Sequence, residues 1–117
     1  MQNTSPYREE RPWGRFERFT HNETSTIKIL TIDPGEELSF QYHNKREEFW
    51  RVLSGDGIIE IGDDKLQAEV GRDYFVKKGA KHRIIGGRVP LSVLEIAFGD
   101  FDENDIVRLS DKYQRIK

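Results

Sequence analysis

The chain is cut into short pieces. Turn-forming residues recur about every eight to twelve positions, at Pro34-Gly35, Ser54-Gly55-Asp56-Gly57, Gly62-Asp63-Asp64-Lys65, Val70-Gly71-Arg72-Asp73, Gly79 and Gly86-Gly87. The segments between them are brief, extended in pattern, and rich in Ile, Val and Phe. They are Thr26 to Asp33, Leu38 to His43, Glu48 to Leu53, Ile58 to Ile61, Leu66 to Glu69, Tyr74 to Val76, His82 to Ile85 and Leu91 to Phe98. No long stretch repeats its apolar residues with the helical period, so the spacing predicts an all-β sandwich or barrel. Arg15 to Phe19 alternates in the same strand-like manner, behind a break at Arg11-Pro12-Trp13-Gly14. Trp13 and Phe16 read as edge packing.

Residues 1–10 read as a flexible lead-in, and 11–117 as a single domain with an N-terminal arm and a C-terminal tail. From Asp102 the tail reads as a helical turn or a docking arm. A chain of 117 residues is long enough for one domain with a modest core of its own. With no cysteine, thiolate metal sites, thiol nucleophiles and disulfides are excluded. The net charge of −2 and the absence of any Lys/Arg block speak against a nucleic-acid or membrane surface. No segment reaches the ~18 apolar residues of a membrane span, and the polar start is not a signal peptide. A soluble cytoplasmic protein is expected.

The stretch Gly35 to Gly55 carries the candidate chemistry. Gln41 and His43 are two apart and leave one face of a strand. Glu48 follows a short polar turn and opens the returning strand, and Gly79-Ala80-Lys81-His82 can bring a second imidazole to the same mouth. Taken singly, each residue has an ordinary reading. His43 fits as a strand histidine, Glu48 as a surface acid, and His82 as an exposed ring between Lys81 and Arg83. Taken together, two imidazoles, a carboxylate and an amide oxygen form a mixed N/O set suited to a divalent ion.

Gly35, Gln41, His43, Glu48 and Gly55 resemble the first motif of the cupin family, with Gln in place of its first His. Gly71, Gly79 and His82 resemble the second, with Lys77 and Gly86 replacing its usual Pro and Asn. The resemblance implies an all-β double-stranded β-helix, a jelly-roll barrel, with Gln41, His43, Glu48 and His82 as metal ligands. Arg11-Pro12-Trp13-Gly14, the Leu38-Ser39-x-Gln41-x-His43-x-x-Arg46-x-Glu48-x-Trp50 pattern, and Asp105-Ile106-Val107-Arg108 with Asp111, Tyr113 and Arg115 look like type II mannose-6-phosphate isomerases. Four departures from that pattern stand out: Asn44-Lys45 where histidines are usual, Ile29 for a basic residue, Ala97 for a glutamine, and Gln114 for a glycine. They spare the ligands and are expected to touch the substrate shell.

The narrower resemblance implies a mannose-6-phosphate isomerase, an aldose–ketose isomerase acting through an enediol. One divalent ion would serve it, zinc foremost, with manganese, cobalt, nickel or iron as alternatives. The small phosphosugar would be held by Arg108, then Lys28 and Arg46, with Trp50 lining the barrel near the metal. Glu95, Lys45 and Arg108 are the catalytic candidates; Glu95, an acid inside an apolar strand, reads as a base or as an internal partner of an arginine. Phe49 and Leu53 fall on the face opposite Glu48, and their exposure would imply a partner, so a homodimer is expected. Two other readings stay open. One is a non-haem iron oxygenase built on His43, Glu48 and His82; the other is a non-catalytic module that binds a sugar phosphate.

Overall fold

The computed structural model describes residues 6–115. Among them there is no α-helix, and no helix long and apolar enough to cross a membrane. Two antiparallel sheets form the barrel. One has the order β3 (Ser25–Ile32), β10 (Leu91–Phe98), β5 (Glu48–Ser54), β8 (Asp73–Val76). The other has the order β11 (Val107–Ser110), β4 (Phe40–Tyr42), β9 (His82–Gly86), β6 (Gly57–Ile61), β7 (Asp64–Gln67). A separate hairpin, β1 (Tyr7–Arg11) and β2 (Gly14–Arg18), stands outside them. This all-β barrel is the architecture expected from the turn spacing.

Period-two alternation decides which side chains enter the barrel. Trp50 and Val52 of β5, Tyr74 and Val76 of β8, and Val93 of β10 meet Ile59 of β6 and Ile84 of β9 in one buried cluster. Each fully buried side chain of this size contributes about 1.5–3 kcal/mol, and the cluster closes the barrel beneath the polar end. Odd-facing residues of β5 go the other way. Phe49 points outward, yet Phe19 stacks against it at 5.4 Å, and Phe75, Ile96 and Phe98 complete its cover. The cover expected from a partner subunit is thus supplied within the chain at Phe49, whereas Leu53 is exposed.

Arg51 of β5 ties down the hairpin. Its guanidinium donates to Glu17 at 2.8 Å and to Asp73 at 2.5 Å. A lone two-stranded hairpin is marginal in water, so the Arg51 bridge and the Phe19 contact are what dock it.

Three expectations are corrected. The lead-in proposed for 1–10 is strand from Tyr7, because residues 7–11 pair in register with 14–18; residues 1–5 lie outside the described part. Trp13 sits at the hairpin turn and is 72% exposed, so it does not pack at an edge. Of the two readings of the tail, the helical turn fails at Val107–Ser110, which docks on β4 as an added strand. Gln114, where the resembling family has glycine, adopts φ 62°, a left-handed conformation that glycine takes without steric cost.

Gly55 makes the tight turn between β5 and β6 with φ +93°, and a Cβ there would fall 2.0 Å from the Pro90 carbonyl oxygen. Gly55→Ala is therefore expected to destabilise the fold by about 3 kcal/mol, the sum of left-handed strain and overpacking. Urea unfolding would measure it; an unchanged midpoint would show that the Pro90 strand yields freely.

Candidate metal centre

Three strands and one loop converge at the open end of the barrel. His43 follows β4, Glu48 begins β5 and His82 begins β9. Their ligand atoms all lie within 4.8 Å of one another, and all three residues are buried. Gln41 pairs directly with His82 across β4 and β9, so its side chain leaves the same face. Its Oε1 accepts the Ser39 hydroxyl at 3.0 Å, and it lines the cavity beside His43.

Hydrogen bonds fix the tautomers. His43 Nδ1 lies 2.6 Å from the Asp105 carbonyl oxygen, and His82 Nδ1 lies 2.9 Å from the Ala80 carbonyl oxygen. A carbonyl only accepts, so both Nδ1 atoms carry the proton and both Nε2 atoms present lone pairs inward. His82 Nε2 is buried and has no hydrogen-bond partner among the described residues. An orphaned acceptor of this kind costs about 1–3 kcal/mol. It is what a ring looks like when it is held for a cation. His43 Nε2 lies 3.5 Å from Glu48 Oε2 and accepts Arg46 Nη2–H at 3.4 Å.

The electrostatics agree with a ligand set. Burial holds both imidazoles below their ordinary pKa, more strongly than the Glu48 charge raises them, so they are neutral and able to coordinate. Burial pushes the Glu48 carboxyl up, but the opposing pull of its neighbours outweighs it and leaves the carboxyl below its ordinary pKa; with both rings neutral, the charge that stands beside it is that of Arg46. Glu48 is gripped on both oxygens: Trp50 Nε1 donates to Oε1 at 3.0 Å and Arg46 Nε to Oε2 at 2.9 Å. Two neutral nitrogens and one oriented carboxylate suit a divalent ion. The residues therefore fit the metal that the sequence pattern implied.

A cavity of about 470 Å³ opens onto His43. Its wall includes Lys28, Gln41, Arg46, Glu95, Phe101 and Arg108. Lys28 stands 4.1 Å over the Phe101 ring, and Arg46 stands 4.3 Å over the same ring. Arg108 donates to the Arg115 carbonyl oxygen at 3.4 Å, while its Nε is buried without a partner among the described residues. Arg115 also lines the cavity, but its guanidinium is held by Asp111 at 2.8 Å.

Glu95 behaves differently from either expected role. It pairs in register with Lys28 on β3 and Trp50 on β5, and no arginine forms an ion pair with it among the described residues. Burial, then the Glu48 charge and a hydrogen bond to Glu48, push its carboxyl up to about 8. It is a protonated acid between the cavity and the ligand carboxylate.

Two further candidates are displaced. Lys45 is exposed and absent from the cavity wall; its backbone N–H bonds Asp105 instead. Trp50 is 1% exposed, donates to Glu48 and is absent from the cavity wall. Arg46 does reach the cavity, but its donors are engaged by Glu48 and by the Asp102 carbonyl oxygen at 3.2 Å. Of the four departures from the family pattern, Ile29 faces outward at 63% exposure, away from the site. Ala97 is buried and stands directly across from Glu48. Asp105 and Phe101 were missed as site residues, since their contacts lie about sixty residues away in sequence; Asp105 enters the sequence reading only as part of the tail pattern.

The family described as Mannose-6-phosphate isomerase C-terminal matches residues 2–111. A mannose-1-phosphate guanylyltransferase of Escherichia coli is 36% identical over 109 residues, covering 91% of this chain and 23% of that protein. The xanthan biosynthesis protein XanB of Xanthomonas campestris is 35% identical over 107 residues, covering 90% of this chain and 23% of that one. Among solved structures, a cupin protein from Bacteroides fragilis superposes with a TM-score of 0.59 at 24% identity, over 67% of this chain and 70% of that one. The chain thus spans under a quarter of the length of the curated relatives it matches. These names correct one expectation. The relatives from Escherichia coli and Salmonella typhimurium are named for guanylyl transfer, a nucleotidyltransferase activity, and not as mannose-6-phosphate isomerases, so the isomerase assignment is withdrawn.

Proposed function

The chain belongs to the mannose-6-phosphate isomerase C-terminal family, and from that premise we propose that it is a metal-centred cupin domain that binds a sugar phosphate. One observation carries the reading. Of the four cations in the wall of the cavity that opens onto His43, Arg46 and Arg115 are paired with Glu48 and Asp111, whereas Lys28 and Arg108 are in no ion pair among the described residues. An uncompensated guanidinium with a buried, unpartnered Nε is a receptor for a phosphate, which it can grip with two N–H donors.

His43, Glu48 and His82 would hold the divalent ion, with Gln41 beside them as a further oxygen donor. The ion would supply a Lewis acid toward a sugar hydroxyl or carbonyl oxygen. The chain's own residues do the rest. Arg108 places the phosphate at the tail side of the cavity and Lys28 adds charge from β3. Glu95, kept protonated, offers a hydrogen-bond donor beside the ligand carboxylate. Trp50 and the buried cluster below exclude water from the barrel side of the centre.

Calorimetry with metal-loaded protein tests this, using mannose 1-phosphate and mannose 6-phosphate against mannose. Both phosphates are expected to bind and the neutral sugar to bind far more weakly. Arg108→Gln should lower phosphate-ester affinity about tenfold or more, the worth of a charged hydrogen bond. Folded, metal-loaded protein that takes up neither ester would reject the reading.

A further inference from the structure

Nothing in the ligand pattern points to Asp105, yet the fold makes it the hub of the site. Asp105 is buried at 8% exposure and belongs to the segment between β10 and β11. Its Oδ1 accepts the Asn44 N–H at 2.8 Å and its Oδ2 accepts the Lys45 N–H at 2.9 Å. Its main-chain oxygen accepts His43 Nδ1–H at 2.6 Å. Three residues upstream, the Asp102 carbonyl takes Arg46 Nη1 at 3.2 Å. The whole turn from His43 to Arg46 is thus clasped by one short stretch of tail. That stretch also lends Phe101, Glu103 and Ile106 to the cavity wall.

We propose that Asp105 is a positioning residue for the metal centre: its carboxylate staples the tail to the 44–45 turn, so that its own carbonyl aims the His43 ring at the ion. The idea rests on the metal-centre reading and goes beyond it. The carbonyl itself survives any substitution at 105. What the side chain contributes is its placement. Without the staple, the peptide is free to drift and the imidazole to rotate. An outer hydrogen bond of this sort sets both ring orientation and basicity. The coupling must also be reciprocal: if opening the clasp weakens the metal, then binding the metal must hold the clasp shut.

The test uses the full chain, with zinc and cobalt(II) as probes. Asp105→Ala is expected to weaken metal affinity by about ten- to a hundredfold and to change the visible spectrum of the cobalt form. Asp105→Asn keeps one acceptor oxygen and should recover part of the loss. In the unmutated protein, saturating metal should slow hydrogen exchange at the Asn44 and Lys45 amides by about the factor that the alanine variant loses in affinity. A residue that merely supports the fold would lower the melting temperature and leave affinity and spectrum unchanged; that result overturns the proposal, as does exchange at 44 and 45 that ignores metal. Should Asp105→Ala not fold, Asp105→Asn and the exchange experiment decide. If the unmutated protein binds neither ion, the metal centre itself fails and takes this inference with it, whereas normal binding by both variants sinks the inference alone.

Discussion

Replacing His82 with alanine is expected to lower divalent-metal affinity by at least about a hundredfold, more than the loss of an outer-sphere partner, while leaving the metal-free protein folded. The two halves of this expectation have separate causes. His82 Nε2 is one of three converging ligand atoms and is unpartnered among the described residues, so its removal breaks the set. In the metal-free state the same atom is a liability of about 1–3 kcal/mol, and alanine sheds that cost along with the ring's packing against Trp50 at 5.5 Å. The net change in intrinsic stability should therefore be small. Thermal melts with zinc and with chelator would measure both. In the unmutated protein, metal at a hundred times Kd adds about 2.7 kcal/mol; in His82→Ala at the same metal concentration that increment should fall to about 0.4 kcal/mol or less. A variant that keeps the full increment would show that His82 is a core histidine and that the cluster holds no ion.

Truncating Trp50 is expected to act on the fold itself. The indole is 1% exposed, stands in the main core cluster, and donates to Glu48 at 3.0 Å. Trp50→Ala should cost about 3–5 kcal/mol through lost burial and an unfilled cavity. That is a large share of the roughly 5–15 kcal/mol by which a domain is stable, and it corresponds to a fall in melting temperature of roughly 10–20 °C. Trp50→Phe separates the two jobs of the side chain. It keeps most of the packing and removes the N–H, so Glu48 Oε1 loses the indole donor and the carboxylate is left to Arg46 and Glu95. Phenylalanine should recover most of the melting temperature and little of the metal affinity. Equal recovery of both would mean that the indole only fills space.

The two expectations share a cause. Glu48 is placed by neighbours that carry no ligand themselves: Trp50 on its own strand, Arg46 in the preceding turn, Glu95 on the adjacent strand. A ligand carboxylate buried at 1% exposure would be neutralised by proton uptake if it stood alone. The Arg46 guanidinium at 2.9 Å and the Trp50 N–H at 3.0 Å favour its charged form. The uptake falls instead on Glu95, one strand away.

How much of this was legible in the chain follows from the range of the forces involved. Glycine-marked turns and period-two alternation are local, so the all-β barrel and eight of its strands could be read directly. Gln41 and His43 share a face through spacing alone. Glu48 and His82 joined them because paired motifs imply a barrel mouth, and the structure brings His43, Glu48 and His82 within 4.8 Å. The strands β1 and β11 were not legible, since each is polar, short and defined only by its partner. The fate of Glu95 was equally hidden: an acid in an apolar strand must find a partner or a proton, and only the register against β5 puts Glu48 there instead of an arginine. Asp105 stood in the tail pattern, but its bonds to the 43–45 turn were not legible there. Sequence by itself determined the strand pattern and the donor types, because these depend on residues a few positions apart. Which charges are spent and which remain free was decided by tertiary packing, because hydrogen bonds at the site join segments about sixty residues apart.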